Sequence, residues 1–238
     1  MTRRTTAKTW TLVVAYAIGM AFLEAACVYY LRAMLHRLEP YQPNPLPIVG
    51  VLGTVEVLRE AATLAMLAAV GALAGHTWRT RLGYTAIAFG VWDIGYYAFL
   101  KVMCGWPQSL LDWDVLFLIP VPWWGPVLAP VCIAALMIVG GTLVCRRPTE
   151  QAADRVEVKL WGLTCLGVPL ALYTFTANSL DAVWHGIDAR NAALPVTFDW
   201  PLFIVALVLM AIPIAYLARP SPKGVLEGTR AIRAPSPP

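Results

Sequence analysis

The chain has 238 residues, of which 59% are hydrophobic and only 13% are charged, and its formal net charge is +4. A soluble globular domain carries about 25% charged residues, so this composition excludes an ordinary soluble domain and indicates a membrane protein. The length accommodates one domain of about six membrane spans, since each helical span takes roughly 20 residues.

Apolar segments predict an all-α fold, a polytopic membrane helical bundle with six transmembrane helices. The first segment follows the short basic leader Thr2–Lys8 and is too long for the hydrophobic region of a secretory signal peptide, so we interpret it as a retained helix. We expect a single transmembrane domain, 1–218, followed by a Pro- and Ser-rich cytoplasmic tail, 219–238, whose composition predicts disorder. The predicted spans are about 10–31, 49–74, 82–102, 126–144, 160–180 and 201–217.

The segment 110–124, before the fourth span, differs from the spans. It contains Asp112 and Asp114 near its start, and its prolines, Pro120 and Pro122, block a regular helix. The apolar stretch between these acids and prolines is too short to cross a bilayer as a helix. We therefore expect a re-entrant or interfacial hydrophobic loop at the outer face.

Lysines and arginines predict the orientation, because they are enriched in cytoplasmic loops. With a cytoplasmic N-terminus and six spans, thirteen of them fall on the cytoplasmic side, four fall on the outer side and Arg59 lies within a span. The sequence thus predicts a multi-pass protein of the cell membrane, an inner membrane in a bacterium, with both termini cytoplasmic. It predicts no nucleic-acid partner, since the basic residues simply line the cytoplasmic face.

Charged side chains interrupt the first two apolar spans. An ion in hydrocarbon costs several kcal/mol, so such residues usually face a protein interior or a water-filled cavity. Span 1 carries Glu24, and the predicted topology places it in the middle-to-outer part of the bundle. In span 2, residues three and four apart form one polar stripe on a helix face, consisting of Glu56, Arg59, Glu60 and Thr63.

Two further spans carry polar stripes at compatible depth. Span 3 places Asp93, Tyr96 and Tyr97 on one face. The stripe of span 5 consists of Thr174, Asn178, Asp181, His185 and Asp188. If the polar faces of spans 1, 2, 3 and 5 meet, four helices enclose a polar, carboxylate-rich pocket that opens to the outer side.

One interpretation of this pocket is a divalent metal site or a catalytic site. Asp181 and His185, like Glu56 and Glu60, are four residues apart, which allows two ligands from one helix face. With Asp93 added, the set resembles carboxylate-rich sites for iron, manganese or zinc, although no HxxxH or ExxH motif is present. The candidate catalytic groups are Asp181, His185 and Glu60, with His185 as a general acid or base that Asp181 orients.

Other interpretations remain open beside this one. Arg59 between Glu56 and Glu60 forms a potential buried ion pair that would only fix helix packing. Tyr96 and Tyr97 are typical of interface anchors and packing aromatics, or of a groove for a lipid or a quinone. The other intramembrane polar residues of the set are Glu24 and Asn178.

Three functions follow from these interpretations. The first is a membrane-embedded enzyme or binding protein with a small-molecule or lipid substrate. The second is a small proton-coupled transporter, against which the lack of internal repeats counts. The third is a structural or accessory subunit with a membrane-protein partner, in which the charges form a buried network.

Overall fold

The computed structural model describes residues 3–36, 39–41, 50–147, 155–186, 195 and 197–219. Each of its six helices contains a stretch that is long and apolar enough to cross a membrane. The predicted six-helix bundle is therefore confirmed, and the chain is a multi-pass membrane protein. The helices are α1 (Arg3–Met34), α2 (Gly50–Ala74), α3 (Trp78–Cys104), α4 (Leu128–Arg146), α5 (Arg155–Trp184) and α6 (Trp200–Ala218).

The division into a domain, 1–218, and a disordered tail, 219–238, stays a prediction, because residues 220–238 lie outside the described part of the chain.

The segment before α4 folds as an antiparallel β-hairpin. Its strands are β1 (Trp113–Phe117) and β2 (Trp123–Pro126), with a bulge between Val115 and Phe117. The fold is thus all-α apart from this small two-stranded sheet. The segment contains no spanning helix, as expected, while its re-entrant or interfacial depth in the bilayer stays a prediction.

Helix α3 is the centre of the bundle, because it packs against α1, α2 and α4. Helices α5 and α6 form a pair, which contacts α4 through α6 and β2 through α5. Individual residues of the hairpin also contact α1, α2 and α3. The polar residues of those three helices therefore have a common space to enclose.

The contact between α3 and α4 depends on small residues, which let two membrane helices approach closely. A Cβ atom on Gly90 would lie 2.5 Å from the carbonyl oxygen of Ala134 and 2.8 Å from a side-chain carbon of Ile138. Both distances are too short for real atoms, so a larger residue at position 90 would force the two helices apart.

We expect Gly90→Ala to lower the free energy of unfolding by about 1–3 kcal/mol, the usual cost of overpacking a well-packed contact. The matched control is Gly19→Ala, because a Cβ atom on Gly19 would have no neighbour within 4 Å. Thermal unfolding in detergent, followed by tryptophan fluorescence, measures both effects. Equal midpoints for the two variants would contradict the close packing of α3 on α4.

Candidate functional site

A polar pocket lies at the end of the bundle where α1 ends, α2 begins and α3 ends, and β1 closes one side of it. Its volume is about 80 Å³, enough for several water molecules. Six carboxylates and two guanidinium groups line it, so negative charge is in excess when all of them are ionised. The charged residues are Glu24, Glu39, Glu56, Glu60, Asp93, Asp114, Arg32 and Arg59.

Arg59 is the central cation of the pocket and joins α2 to α1. Its guanidinium forms an ion pair with Glu24 and donates two hydrogen bonds to Glu56, Nη2–Oε1 at 2.5 Å and Nε–Oε2 at 3.0 Å. Thr63 donates its hydroxyl to Oε2 of Glu24 at 3.1 Å. Charge-assisted bidentate pairs of this kind are stronger than neutral hydrogen bonds, so this network fixes α1 against α2.

The sequence suggests Arg59 as the partner of Glu60, but Glu60 binds the backbone of the hairpin. Both of its carboxylate oxygens accept the backbone N–H of Leu118, at 2.9 and 3.1 Å. Of the predicted triad, the structure forms the contact between Arg59 and Glu56 but no ion pair between Arg59 and Glu60 among the described residues. Adjacent residues of a helix do not face each other, so Arg59 points toward α1 while Glu60 points toward the hairpin.

A second ion pair, which the sequence did not suggest, joins α1 to the hairpin. Arg32 in the last turn of α1 donates to Oδ1 of Asp114 at 3.0 Å, and its guanidinium lies 4.4 Å from the centre of the Trp106 ring. Arg32 also donates to the hydroxyl of Tyr96 at 3.4 Å. Asp114 is only 1% exposed, so the hairpin is attached to the bundle by a buried ion pair.

Asp93 is a buried carboxylate of the pocket with one oxygen atom unpaired. It is 8% exposed, and its Oδ2 atom has no hydrogen-bond partner among the residues that the structure describes. The ring nitrogen of the neighbouring Trp92 is also buried without a partner in that part of the chain. Buried polar atoms nearly always have a partner, so Asp93 Oδ2 is a candidate position for binding a proton or the donor of a ligand.

The two tyrosines of α3 belong to this pocket and not to an exposed interface belt. Tyr96 and Tyr97 both line it, and Tyr97 is buried. The stripe Asp93, Tyr96 and Tyr97 shares a face, as its helical spacing predicts, and that face lines the same pocket as the stripe of α2.

Helix α5 does not contribute to the pocket, which corrects the predicted convergence of four helices. The side chains of Asp181 and His185 are 75% and 64% exposed, with His185 Nδ1 3.5 Å from Asp181 Oδ1. Asn178 is exposed as well, and Asp188 lies outside the described residues. Thr174 of the predicted stripe is buried, and the buried face of α5, which also includes Phe175, packs on α6 and β2 and not on the pocket.

The predicted metal site is not assembled, because Asp181 and His185 are on another face of the bundle from Glu56, Glu60 and Asp93. In the described ranges, no group of three or more His, Cys, Asp or Glu side chains is placed so that it could hold a metal ion. The same separation removes Asp181 and His185 as partners of Glu60 in a catalytic group.

A second cavity adjoins the polar pocket and is much larger, with a volume of about 810 Å³. Residues of α2 to α6 and of the hairpin form its walls, and most of them are apolar. Asp93, Leu116 and Phe117 line both cavities. We call this second cavity the apolar chamber.

Asp114 lies in β1, outside the spanning helices, and its protonation has a defined effect on stability. Burial raises the pKa of Asp114 to about 6, while Arg32 acts in the opposite direction. An aspartate of an unfolded chain has a pKa of about 3.9. Between these two values the folded chain holds a proton that the unfolded chain has lost, so the contribution of Asp114 to the free energy of unfolding falls as the pH rises from about 4 to 6.

We therefore expect the wild-type protein to lose more thermal stability than Asp114→Asn when the pH is raised from about 4 to 7. All other titrating groups are common to both proteins, so the difference between their pH profiles isolates Asp114. Thermal unfolding midpoints across this range measure the effect, and parallel profiles would contradict the raised pKa.

Comparison of the chain with protein-family models, with curated proteins and with solved structures gave no match.

Proposed function

We propose that this membrane protein binds a small organic cation, a protonated amine, in the polar pocket. The observation that carries the proposal is the excess of carboxylates around a cavity within the bundle. Both arginines of the pocket are already paired with carboxylates, Arg59 with Glu24 and Glu56 and Arg32 with Asp114. The remaining acids include Asp93, so a cation would find an uncompensated carboxylate there.

The chemistry of an ammonium group suits this site better than that of an anion. Uncompensated buried charge is costly and is relieved by a proton or by a bound cation. An ammonium group has three hydrogen-bond donors and no acceptor, which matches a wall of carboxylate and phenol oxygens. A ligand with a protonated amine therefore replaces the protons that the acids would otherwise take up.

The distribution of basic residues supports a pocket on the outer side of the membrane. The pocket lies at the end of the bundle where α1 ends. The opposite end of the bundle carries most of the described lysines and arginines, among them Arg79, Arg81, Arg146 and Arg147. By the positive-inside rule, that end belongs in the cytoplasm, and the pocket then opens outward.

Ligand-dependent stability tests the proposal with two probes of similar size and opposite charge, butylammonium and butyrate, at equal ionic strength. We expect butylammonium to raise the thermal unfolding midpoint of the protein in nanodiscs, since a ligand at ten times its Kd adds about 1.4 kcal/mol to the free energy of unfolding. Butyrate should leave the midpoint unchanged. Equal shifts with both ions, or no shift with butylammonium, would contradict cation binding.

A structural role is the second candidate, and the ion pairs themselves favour it. Arg59 joins α2 to α1, and Glu60 holds the backbone of Leu118. A purely structural network would give equal unfolding midpoints with and without butylammonium, so the same experiment separates the two functions.

A further inference from the structure

We infer that the ligand is an amphiphilic amine, whose ammonium group lies in the polar pocket at Asp93 while its hydrocarbon chain occupies the apolar chamber. This inference rests on the proposed binding of an organic cation and specifies the class of that cation.

The apolar chamber has the size of a binding site. Its volume of about 810 Å³ falls within the range of about 300–1,000 Å³ that is typical of small-molecule sites. Side chains of α3, α4, α5 and α6 surround it, together with Leu64 of α2 and the hairpin. The chamber is open on one side, where exposed apolar residues such as Trp78 and Leu82 line it, so a hydrocarbon chain can enter it from the lipid.

Asp93 defines the end of the chamber at which the polar part of that occupant belongs. Its side chain lines both cavities, it is 92% buried, and its Oδ2 atom is without a hydrogen-bond partner among the described residues. Asp93 thus offers an unpaired carboxylate oxygen to a donor, and the apolar chamber that it also lines offers space for hydrocarbon. A single molecule with an amine at one end satisfies both.

The charges of the polar pocket select among amphiphiles. A phosphate or carboxylate headgroup would meet six acidic side chains, while Arg32 and Arg59 are held by Asp114, Glu24 and Glu56. A neutral headgroup would leave the excess negative charge uncompensated. The pocket therefore favours a cationic headgroup over an anionic or neutral one.

The test compares butylamine, dodecylamine and dodecyl phosphate as ligands of the protein in nanodiscs, with protein-free nanodiscs as the correction for partition into lipid. Two variants fill the chamber, Ala86→Phe and Met137→Trp, since both residues line it. The matched control is Ala62→Phe, on the exposed surface of α2 and away from both cavities.

We expect dodecylamine to bind more tightly than butylamine after the partition correction, and dodecyl phosphate to bind at least tenfold more weakly than dodecylamine. Ala86→Phe and Met137→Trp should each weaken dodecylamine at least tenfold and leave butylamine binding unchanged, which also shows that the variants are folded. Ala62→Phe should change neither.

Four results would overturn the inference. Two results would exclude the chamber as the site of the hydrocarbon chain without contradicting the cation site. One is equal affinity for butylamine and dodecylamine, and the other is an equal loss of affinity for both amines in the two filling variants. Preference for dodecyl phosphate would exclude the amine headgroup. Binding of neither amine would overturn the proposed function and the inference together.

Discussion

Replacing Arg59 with methionine is expected to lower the free energy of unfolding by about 3–5 kcal/mol, the usual cost of leaving buried ionic partners uncompensated. Arg59 is the shared partner of Glu24 and Glu56, so its removal leaves two carboxylates facing each other between α1 and α2. Thermal or denaturant unfolding in detergent measures the loss.

Two variants control this experiment. Arg146→Met removes an exposed arginine at the end of α4 and should change stability by less than about 0.5 kcal/mol, as surface substitutions usually do. The triple variant Glu24→Gln, Glu56→Gln and Arg59→Met removes the uncompensated charges and should recover most of the loss. A stable Arg59→Met protein would show that the ion pairs do not hold α1 and α2 together.

Replacing Arg32 with methionine is expected to release the β-hairpin from the bundle. Arg32 is the cation that pairs with the buried Asp114 of β1, and it also packs on Trp106. We expect a loss of about 3–5 kcal/mol, again because one buried charge is left alone. Amide hydrogen exchange within 113–126 should accelerate at least tenfold, since local opening exposes the hairpin's hydrogen bonds.

The double variant Arg32→Met and Asp114→Asn separates charge from packing. It should restore the slow exchange of 113–126, because no unpaired charge remains at the contact between α1 and the hairpin. Unchanged exchange in Arg32→Met, with lost stability elsewhere, would show that the hairpin is held by its other contacts, such as that between Glu60 and the N–H of Leu118.

The six helices could be predicted from the sequence, because apolar segments of this length are typical of membrane-spanning helices. The depth of the charged residues in α1, α2 and α3 followed from the same runs. The direction in which these side chains point also followed, because charged residues within a span face the interior of the bundle and avoid the lipid. Glu24, Glu56 and Asp93 were therefore expected to face one another. The pocket between three helices was therefore within reach of sequence analysis.

The direction of the α5 stripe could not be predicted in this way. Helical spacing shows that Asp181 and His185 share a face, but it does not show which neighbour that face meets. Both residues lie around the C-terminal end of α5, at Trp184, where polar side chains can reach water without a protein pocket. Their polarity therefore placed no constraint on the packing of the bundle.

The ion pair between Arg32 and Asp114 could not be predicted from the sequence, for a different reason. The two residues are 82 positions apart, and Arg32 lies so near the end of α1 that solvent was its simplest environment. The segment 110–124 could be recognised as neither a span nor an ordinary loop, but its hairpin depends on the bundle that it packs against. Non-local contacts of this kind carry no periodic signal in the chain.

Direct titration of butylamine into the protein in nanodiscs tests the anionic pocket most directly, with Asp93→Asn and Asp181→Asn compared as matched variants. Both substitutions remove one carboxylate, from the buried wall of the pocket in the first case and from the exposed end of α5 in the second. We expect saturable binding in the wild type, a loss of at least tenfold in affinity in Asp93→Asn, and wild-type affinity in Asp181→Asn. Absence of saturable binding, or equal affinity in all three proteins, would contradict a cation site at Asp93.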